Sequence, residues 1–289
     1  MLGNCQSGAL SLLIECICPT MKRLSLPAIH TLDKKKPEVV WSIVRDVDVV
    51  IHQPISDSFQ EIGINALKLK FPNKLYISFP SIYFNGYFPN LIYLRKPAGG
   101  TLGGRLRDFH DSRIVEGAIF GQSIEEIKNQ ICKKIPVDKV LTDVNISLEN
   151  LRKREIGLDV EVTSYIKKNV FKKRLFYVFN HPINDVLIYV AIRICDILKQ
   201  NVTNERLQLG KNKPDYLAKT QAPLDYSIIQ LLDSTVSNDL IYAIRDNSGH
   251  VQKWPLINFI ETQVDLYRSI TDLEKIYNFS LRRNEKLEG

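Results

Sequence analysis

Apolar residues along this chain recur in two rhythms, and the rhythms separate helices from strands. Leu10, Leu13, Ile14 and Ile17 repeat at three- and four-residue spacing, which predicts a helix with one buried face, stopped by Pro19. Residues 48–52 are a near-continuous apolar run that predicts a buried strand ending at Gln53. A second run at 75–79 predicts another strand, and 175–179 a strong one that passes directly into Asn180-His181-Pro182. Helical spacing extends over 38–44, 58–70, 111–120, 123–134, 148–168 and 185–198. Ser123 and Glu126 stand at capping-box spacing. A short strand is predicted over 24–28 and a loop over 201–223. The remainder reads as mixed structure ending in a polar helix, with no internal repeat.

The order turn, helix, strand, helix, strand predicts an α/β fold: an open, mainly parallel sheet with helices on both faces. We place a catalytic core at 1–200 and an extension of mixed structure, packed on that core, at 201–289. The 289 residues suffice for one large domain or two small ones.

Charge and cysteine usage narrow the function classes. The net charge of +7, from 39 basic and 32 acidic residues, is spread along the chain. It suits an anionic ligand, such as a coenzyme phosphate, or peripheral contact with an acidic membrane surface. It forms no basic stripe, which argues against nucleic acid as a partner. The five cysteines are odd in number, and Cys132 and Cys195 lie in apolar helical patterns. Free thiols in a reducing, cytoplasmic compartment are therefore expected. Cys16 and Cys18 lack a second cluster to complete a tetrahedral metal site, so no metal is expected. The apolar stretch 9–18 is interrupted by Glu15, lacks a basic leader and is too short to span a bilayer. It reads as a buried helix.

Three polar clusters fall at equivalent places. Gly3-Asn4-Cys5-Gln6 precedes a helix, Gln53 ends a strand, and Asn180-His181 ends another. The carboxyl ends of strands in an open parallel sheet form the ligand crevice, which brings Cys5, Gln53 and His181 to one edge. A thiol at a helix N-terminus feels the positive end of the dipole, so a lowered pKa and nucleophilic use of Cys5 are expected. A neighbouring imidazole would take its proton and return it to a leaving group. The free N–H groups of the helix start would stabilise an oxyanion, with Asn4 or Asn180 adding a donor or orienting the ring. The competing reading of Cys5 is an inert thiol packed in a tight turn.

His181 stands next to a proline and reads equally as a turn residue. His110, in Asp108-Phe109-His110-Asp111, is the rival base. His52 is expected to face away from Gln53 by strand alternation. The glycines from Gly99 to Gly104, flanked by Arg95, Lys96, Arg105 and Arg107, offer amides and guanidinium groups to phosphates. They lack the Gly-Lys-Ser/Thr ending of a P-loop and read also as a surface loop. The aromatic run from Tyr83 to Phe88 reads as core or as the wall of a sugar or pantetheine groove.

Gly3-Asn4-Cys5-Gln6, followed by Asp48-Val49-Val50-Ile51-His52-Gln53, resembles the opening signature of the WcbI-like family of polysaccharide-biosynthesis proteins. Gly86-Tyr87-Phe88-Pro89-Asn90 is similar to a Gly-Tyr-His-Pro-Asp block of that family, with Phe88 and Asn90 as departures. Phe109-His110-Asp111, Phe120-Gly121-Gln122-Ser123 and Phe179-Asn180-His181-Pro182 resemble its later blocks, in family order over about residues 1 to 200. The resemblance implies bacterial capsule or surface-polysaccharide assembly and transfer of an acetyl group from acetyl-CoA to a sugar or glycan acceptor. It implies an SGNH-hydrolase-like fold with Cys in place of the nucleophilic Ser, in the cytoplasm or at the inner membrane's inner face. It makes Cys5 the nucleophile and His181 the base. Asn4, Gln6, Gln53 and Asn180 line the site, and Gly86, Tyr87, Arg105 and His110 are candidates for binding substrate or coenzyme A. It also implies a first strand ahead of Gly3, where only Met1 and Leu2 stand, so a shortened strand or an upstream start is expected. Rival functions for the same residues are a Cys-based esterase or thioesterase and a non-catalytic glycan- or nucleotide-binding module.

Overall fold

A computed structural model describes residues 1–24, 26–232, 241–246 and 248–288. The chain begins with helix α1 (Cys5–Ile17), α2 (Glu38–Arg45), strand β1 (Val49–His52), α3 (Ile64–Lys70) and β2 (Leu75–Ser78). Then follow β3 (Leu91–Tyr93), β4 (Phe109–Asp111), α4 (Ser112–Ile119), α5 (Ile124–Ile131), α6 (Val137–Glu155), α7 (Thr163–Asn169) and α8 (Asn184–Ile197). The remainder holds α9 (Asn204–Lys211), β5 (Thr220–Gln221), α10 (Tyr226–Ile229), β6 (Ile241–Arg245), β7 (Val251–Pro255), α11 (Leu256–Arg268) and α12 (Leu273–Glu288). Two compact units share these elements. Unit 1 comprises 1–83, 151–168 and 180–217, and unit 2 comprises 84–150, 169–179 and 218–289.

Unit 1 is built on the parallel pair β1–β2, in register from Val49↔Leu75 to His52↔Ser78. Leu2 joins the other edge of β1 at a single parallel bridge to His52. The apolar stripe of α1 is buried as its spacing requires, and the helix packs against α8 and α9. Gly210 of α9 lets this happen: a Cβ there would lie 2.8 Å from Ile17 Cγ2. A second core joins Leu2, Val40, Val44, Val50, Ile62 and Leu67. Burial of such side chains contributes about 1.5–3 kcal/mol each.

Unit 2 contains the antiparallel pair β3–β4 and the antiparallel sheet β5–β6–β7. Helices α4, α5 and α11 pack together. Its aromatic core includes Phe84, stacked on Phe176 and edge-on to Tyr87, and Tyr242 stacked on Phe259. The run from Phe84 to Phe88 is thus largely core.

The α/β class holds, with small sheets in place of the open, mainly parallel sheet expected; among the described residues β1–β2 is the parallel strand pair. The segment 175–179 shows why. It is largely buried, but the carbonyls of Phe176, Tyr177 and Phe179 are committed elsewhere. Phe179 C=O accepts from Phe84 N–H, and Tyr177 C=O from Ala222 N–H. The Arg174 guanidinium donates to the carbonyls of Phe176 and Tyr177. With these groups committed, an apolar run that reads as a strand becomes an irregular core segment that keeps only a bridge at Phe176.

Helix boundaries moved for local reasons. The helix expected over 58–70 is a 3-10 segment (Asp57–Ile62) broken from α3, with Gln60 at φ 54°. The helix expected over 148–168 is two: Gly157, at φ 78°, ends the first, and the Glu155 carboxylate accepts from the N–H groups of Val162 and Thr163 at the start of α7. The loop expected over 201–223 contains α9, capped by Thr203, and β5. Of the strand expected over 24–28, Ser25 lies outside the described residues and the rest is in no strand. The capping box at Ser123 and Glu126 is present, and the five cysteines carry free thiols. Among the described residues no helix is long and apolar enough to cross a membrane.

Candidate active site

The chain enters the site along the edge of β1. Leu2 N–H donates to Ile51 C=O at 2.9 Å, and Gln53 N–H donates to Leu2 C=O at 2.9 Å. This delivers the Gly3-Asn4 turn to the carboxyl end of the strand. Asn4 N-caps α1: its Oδ1 accepts from Gln6 N–H at 2.9 Å. Its Nδ2 donates to Ser81 Oγ at 3.1 Å, and its own N–H donates to Gln53 Oε1 at 2.8 Å. Gly3 is required by this closeness, since a Cβ there would lie 2.6 Å from Gln53 Oε1.

Two buried carboxamides link the turn to the strand ends. Gln53 Nε2 donates to Gln6 Oε1 at 2.9 Å and to Pro80 C=O at 3.3 Å. Gln6, at 0% exposure, accepts from Ile82 N–H at 3.0 Å. Its Nε2 donates to the carbonyls of Ile82 at 2.6 Å and Asn180 at 2.8 Å. The sequence reading missed Ser81 and the backbone of Pro80 and Ile82. The strand-end rule that drew attention to Gln53 applies equally just beyond β2, but these residues lead into an aromatic run that reads as core or groove wall.

Cys5 is the first residue of α1, and its Sγ lies 3.8 Å from His181 Nε2. Solvent reaches Cys5, and His181 is half-buried. Enough protein surrounds the sulfur for desolvation to push the thiol above its ordinary pKa. The backbone N–H groups of Cys5 and Gln6 pull it down but do not prevail. The lowered value expected from the helix dipole is thereby reversed. Cys5 rests as a thiol and needs a base to react. Among the described residues the Cys5 N–H has no acceptor other than the sulfur, so it can turn to an oxygen that develops charge nearby.

Six of the predicted site residues, Asn4, Cys5, Gln6, Gln53, Asn180 and His181, thus meet in unit 1. The other four belong to unit 2. Gly86 is pressed by the Phe84 ring, whose Cζ would lie 2.4 Å from an added Cβ. The Tyr87 hydroxyl is buried between the carbonyls of Val170 and Lys173. Arg105 extends an exposed side chain, and its N–H donates to Gln263 Oε1. His110 is fully buried, with Nδ1 at 2.6 Å from the Tyr267 hydroxyl and Nε2 at 2.8 Å from Leu102 C=O. Burial lowers its pKa to about 4, so it is neutral at pH 7. Phe88, the departure from the expected histidine, is 4% exposed and contributes to the aromatic core. His52 is buried, its Nδ1 beside Gln53 C=O, and burial lowers its pKa.

Comparison with known proteins agrees with this architecture. A solved structure described as native WcbI, a novel polysaccharide biosynthesis enzyme, without a disulfide bond between coenzyme A and one of its cysteines, superposes with a TM-score of 0.76. The match covers 99% of this chain and 95% of that one at 19% identity, which establishes a shared fold. A search of curated proteins finds no match. The family model described as polysaccharide biosynthesis enzyme WcbI matches residues 1–202, the span that holds all six residues of the unit 1 cluster. The chain therefore belongs to the WcbI family of polysaccharide biosynthesis enzymes.

Proposed function

We propose that this protein transfers an acyl group, acetyl in the simplest case, from coenzyme A to a hydroxyl of a sugar in a polysaccharide or its precursor. The observation that carries the reading is the Cys5 Sγ–His181 Nε2 pair, 3.8 Å apart at the start of α1. The solved WcbI structure, described as free of a disulfide bond between coenzyme A and a cysteine, supports the coenzyme as the ligand and a thiol as the group it meets.

The chemistry follows from the resting state of the thiol. As Cys5 Sγ attacks the thioester carbonyl, His181 Nε2 takes its proton. The carbonyl oxygen gains charge beside the Cys5 N–H. The bond to the coenzyme sulfur breaks, and His181 returns the proton to that sulfur. In the second half, the sugar hydroxyl attacks the acyl-Cys5 thioester, His181 takes the hydroxyl proton, and Cys5 leaves and is reprotonated. The side chains of Asn4, Gln6 and Gln53 are held by protein partners, so the backbone supplies the oxyanion donor.

Isothermal titration with coenzyme A and acetyl-CoA, beside intact-mass detection of an acetyl group on Cys5, tests the reading. Binding with acetyl-Cys5 in the wild type and none in Cys5→Ala is expected. Undiminished acetyl transfer by Cys5→Ala sinks it, and acetyl-CoA hydrolysis unaffected by any sugar acceptor replaces it with a thioesterase.

A further inference from the structure

Gln6 has no hydrogen-bonding capacity left for a substrate. Its Oε1 accepts from Ile82 N–H and Gln53 Nε2, and its Nε2 donates to Ile82 C=O and Asn180 C=O. The orientation of this carboxamide is fixed: reversing it would set NH2 against an N–H and an NH2, and C=O against two carbonyls. Gln6 follows Cys5 directly on α1, and Asn180 directly precedes His181. The peptide carbonyl of Asn180 is therefore tied, through one buried side chain, to the helix turn that carries the thiol.

We propose that Gln6 is a positioning residue, oriented by Gln53, whose bond to Asn180 C=O sets the separation of Cys5 Sγ and His181 Nε2. The proposal rests on the acyl-transfer reading for its functional meaning, but the geometry it invokes is testable without it. Loss of the tie releases His181 from the thiol while leaving both reacting groups in the chain.

The test uses the full chain with Gln6→Met, Gln6→Glu, His181→Ala and the double variant Gln6→Met/His181→Ala. Iodoacetamide alkylation of Cys5 is followed by peptide mass spectrometry as a function of pH, beside acetyl-transfer kinetics. Misplacement by an ångström costs about 100-fold, so Gln6→Met is expected to lower Cys5 alkylation at neutral pH and kcat by about that factor, with KM for acetyl-CoA little changed. The double variant is expected to be no slower than His181→Ala, because the clamp acts through that ring.

Gln6→Glu supplies the signature that a merely structural role would not show. Ionised, its carboxylate faces two carbonyls. Protonated, it donates to one of them and accepts from Ile82 and Gln53. Its alkylation rate relative to wild type should therefore rise as pH falls, and that of Gln6→Met should not. Wild-type alkylation in a folded Gln6→Met, or effects of Gln6→Met and His181→Ala that multiply, overturns the proposal. If Gln6→Met does not fold, a flat pH ratio for Gln6→Glu overturns it and a rising one supports it. Coupled alkylation in a protein that transfers no acetyl group leaves the clamp standing and removes the acyl-transfer reading.

Discussion

His110 in unit 2 has both ring nitrogens occupied at 2.6 and 2.8 Å, whereas His181 in unit 1 has a thiol beside Nε2. Each ring is accompanied by buried glutamine: Gln263 near His110, and Gln6 behind His181. In the unit 2 cluster the polar capacity closes on itself. The Arg113 guanidinium forks onto Asp111 and reaches Asp225, with side chains 16%, 5% and 4% exposed. In the unit 1 cluster the amides close on one another, and the thiol faces the imidazole at 3.8 Å beside the N–H groups of a helix start. Burial and polarity alone therefore do not mark a site. What marks it is a nucleophile and a base brought within reach of each other at a solvent-accessible helix start.

The largest effect that tests this contrast is chemical. Replacing Cys5 or His181 by Ala is expected to cost acetyl transfer on the order of 10³-fold or more, while His110→Gln leaves kcat within a few fold. Steady-state assays on folded variants decide it, and equal losses at the two histidines would erase the distinction.

The next effect is on stability. Arg113→Met strands two buried carboxylates and should destabilise the protein by about 3–5 kcal/mol in urea unfolding. A cost below ~1 kcal/mol would mean that the cluster is not closed in the way its hydrogen bonds indicate.

A somewhat smaller effect depends on pH. His110 is lowered to about 4 from an ordinary 6.5, because burial disfavours imidazolium. Above pH 6.5 the ring is neutral in folded and unfolded chains and contributes no slope. As pH falls from there toward about 4, the unfolded chain binds a proton that the folded chain refuses, so stability is lost. The full loss is about 3 kcal/mol. Unfolding curves at neutral and mildly acidic pH should show a shallower dependence in His110→Gln than in the wild type, and identical slopes would count against a neutral buried ring.

The smallest effect lies outside both clusters. Ser123→Ala removes the side-chain cap of α5 and should cost about 1 kcal/mol, read as a shift in urea midpoint with no change in Cys5 alkylation. A change in alkylation would show that local stability and site geometry are not independent.

What the sequence determined by itself is local. The apolar stripe of α1, the strands at 49–52 and 75–78 and the Ser123 box depend on residues a few positions apart, so spacing and side-chain chemistry suffice. The polar clusters were legible for the same reason, as was Cys5 at a helix start. The partnerships were not. Residues 175–179 have the composition of a strand, but Arg174, Phe84 and Ala222 take their backbone groups, and those partners are set by the fold. The direction of the Cys5 pKa depends on desolvation against two amides, a balance that only surrounding atoms fix. Gln6 reads as site-lining in the sequence and is consumed by three distant segments in the structure. His181 and His110 carry similar signals in one dimension. Only tertiary structure decides that one meets a thiol and the other a tyrosine, because hydrogen bonds between residues far apart in sequence leave no periodic trace in it.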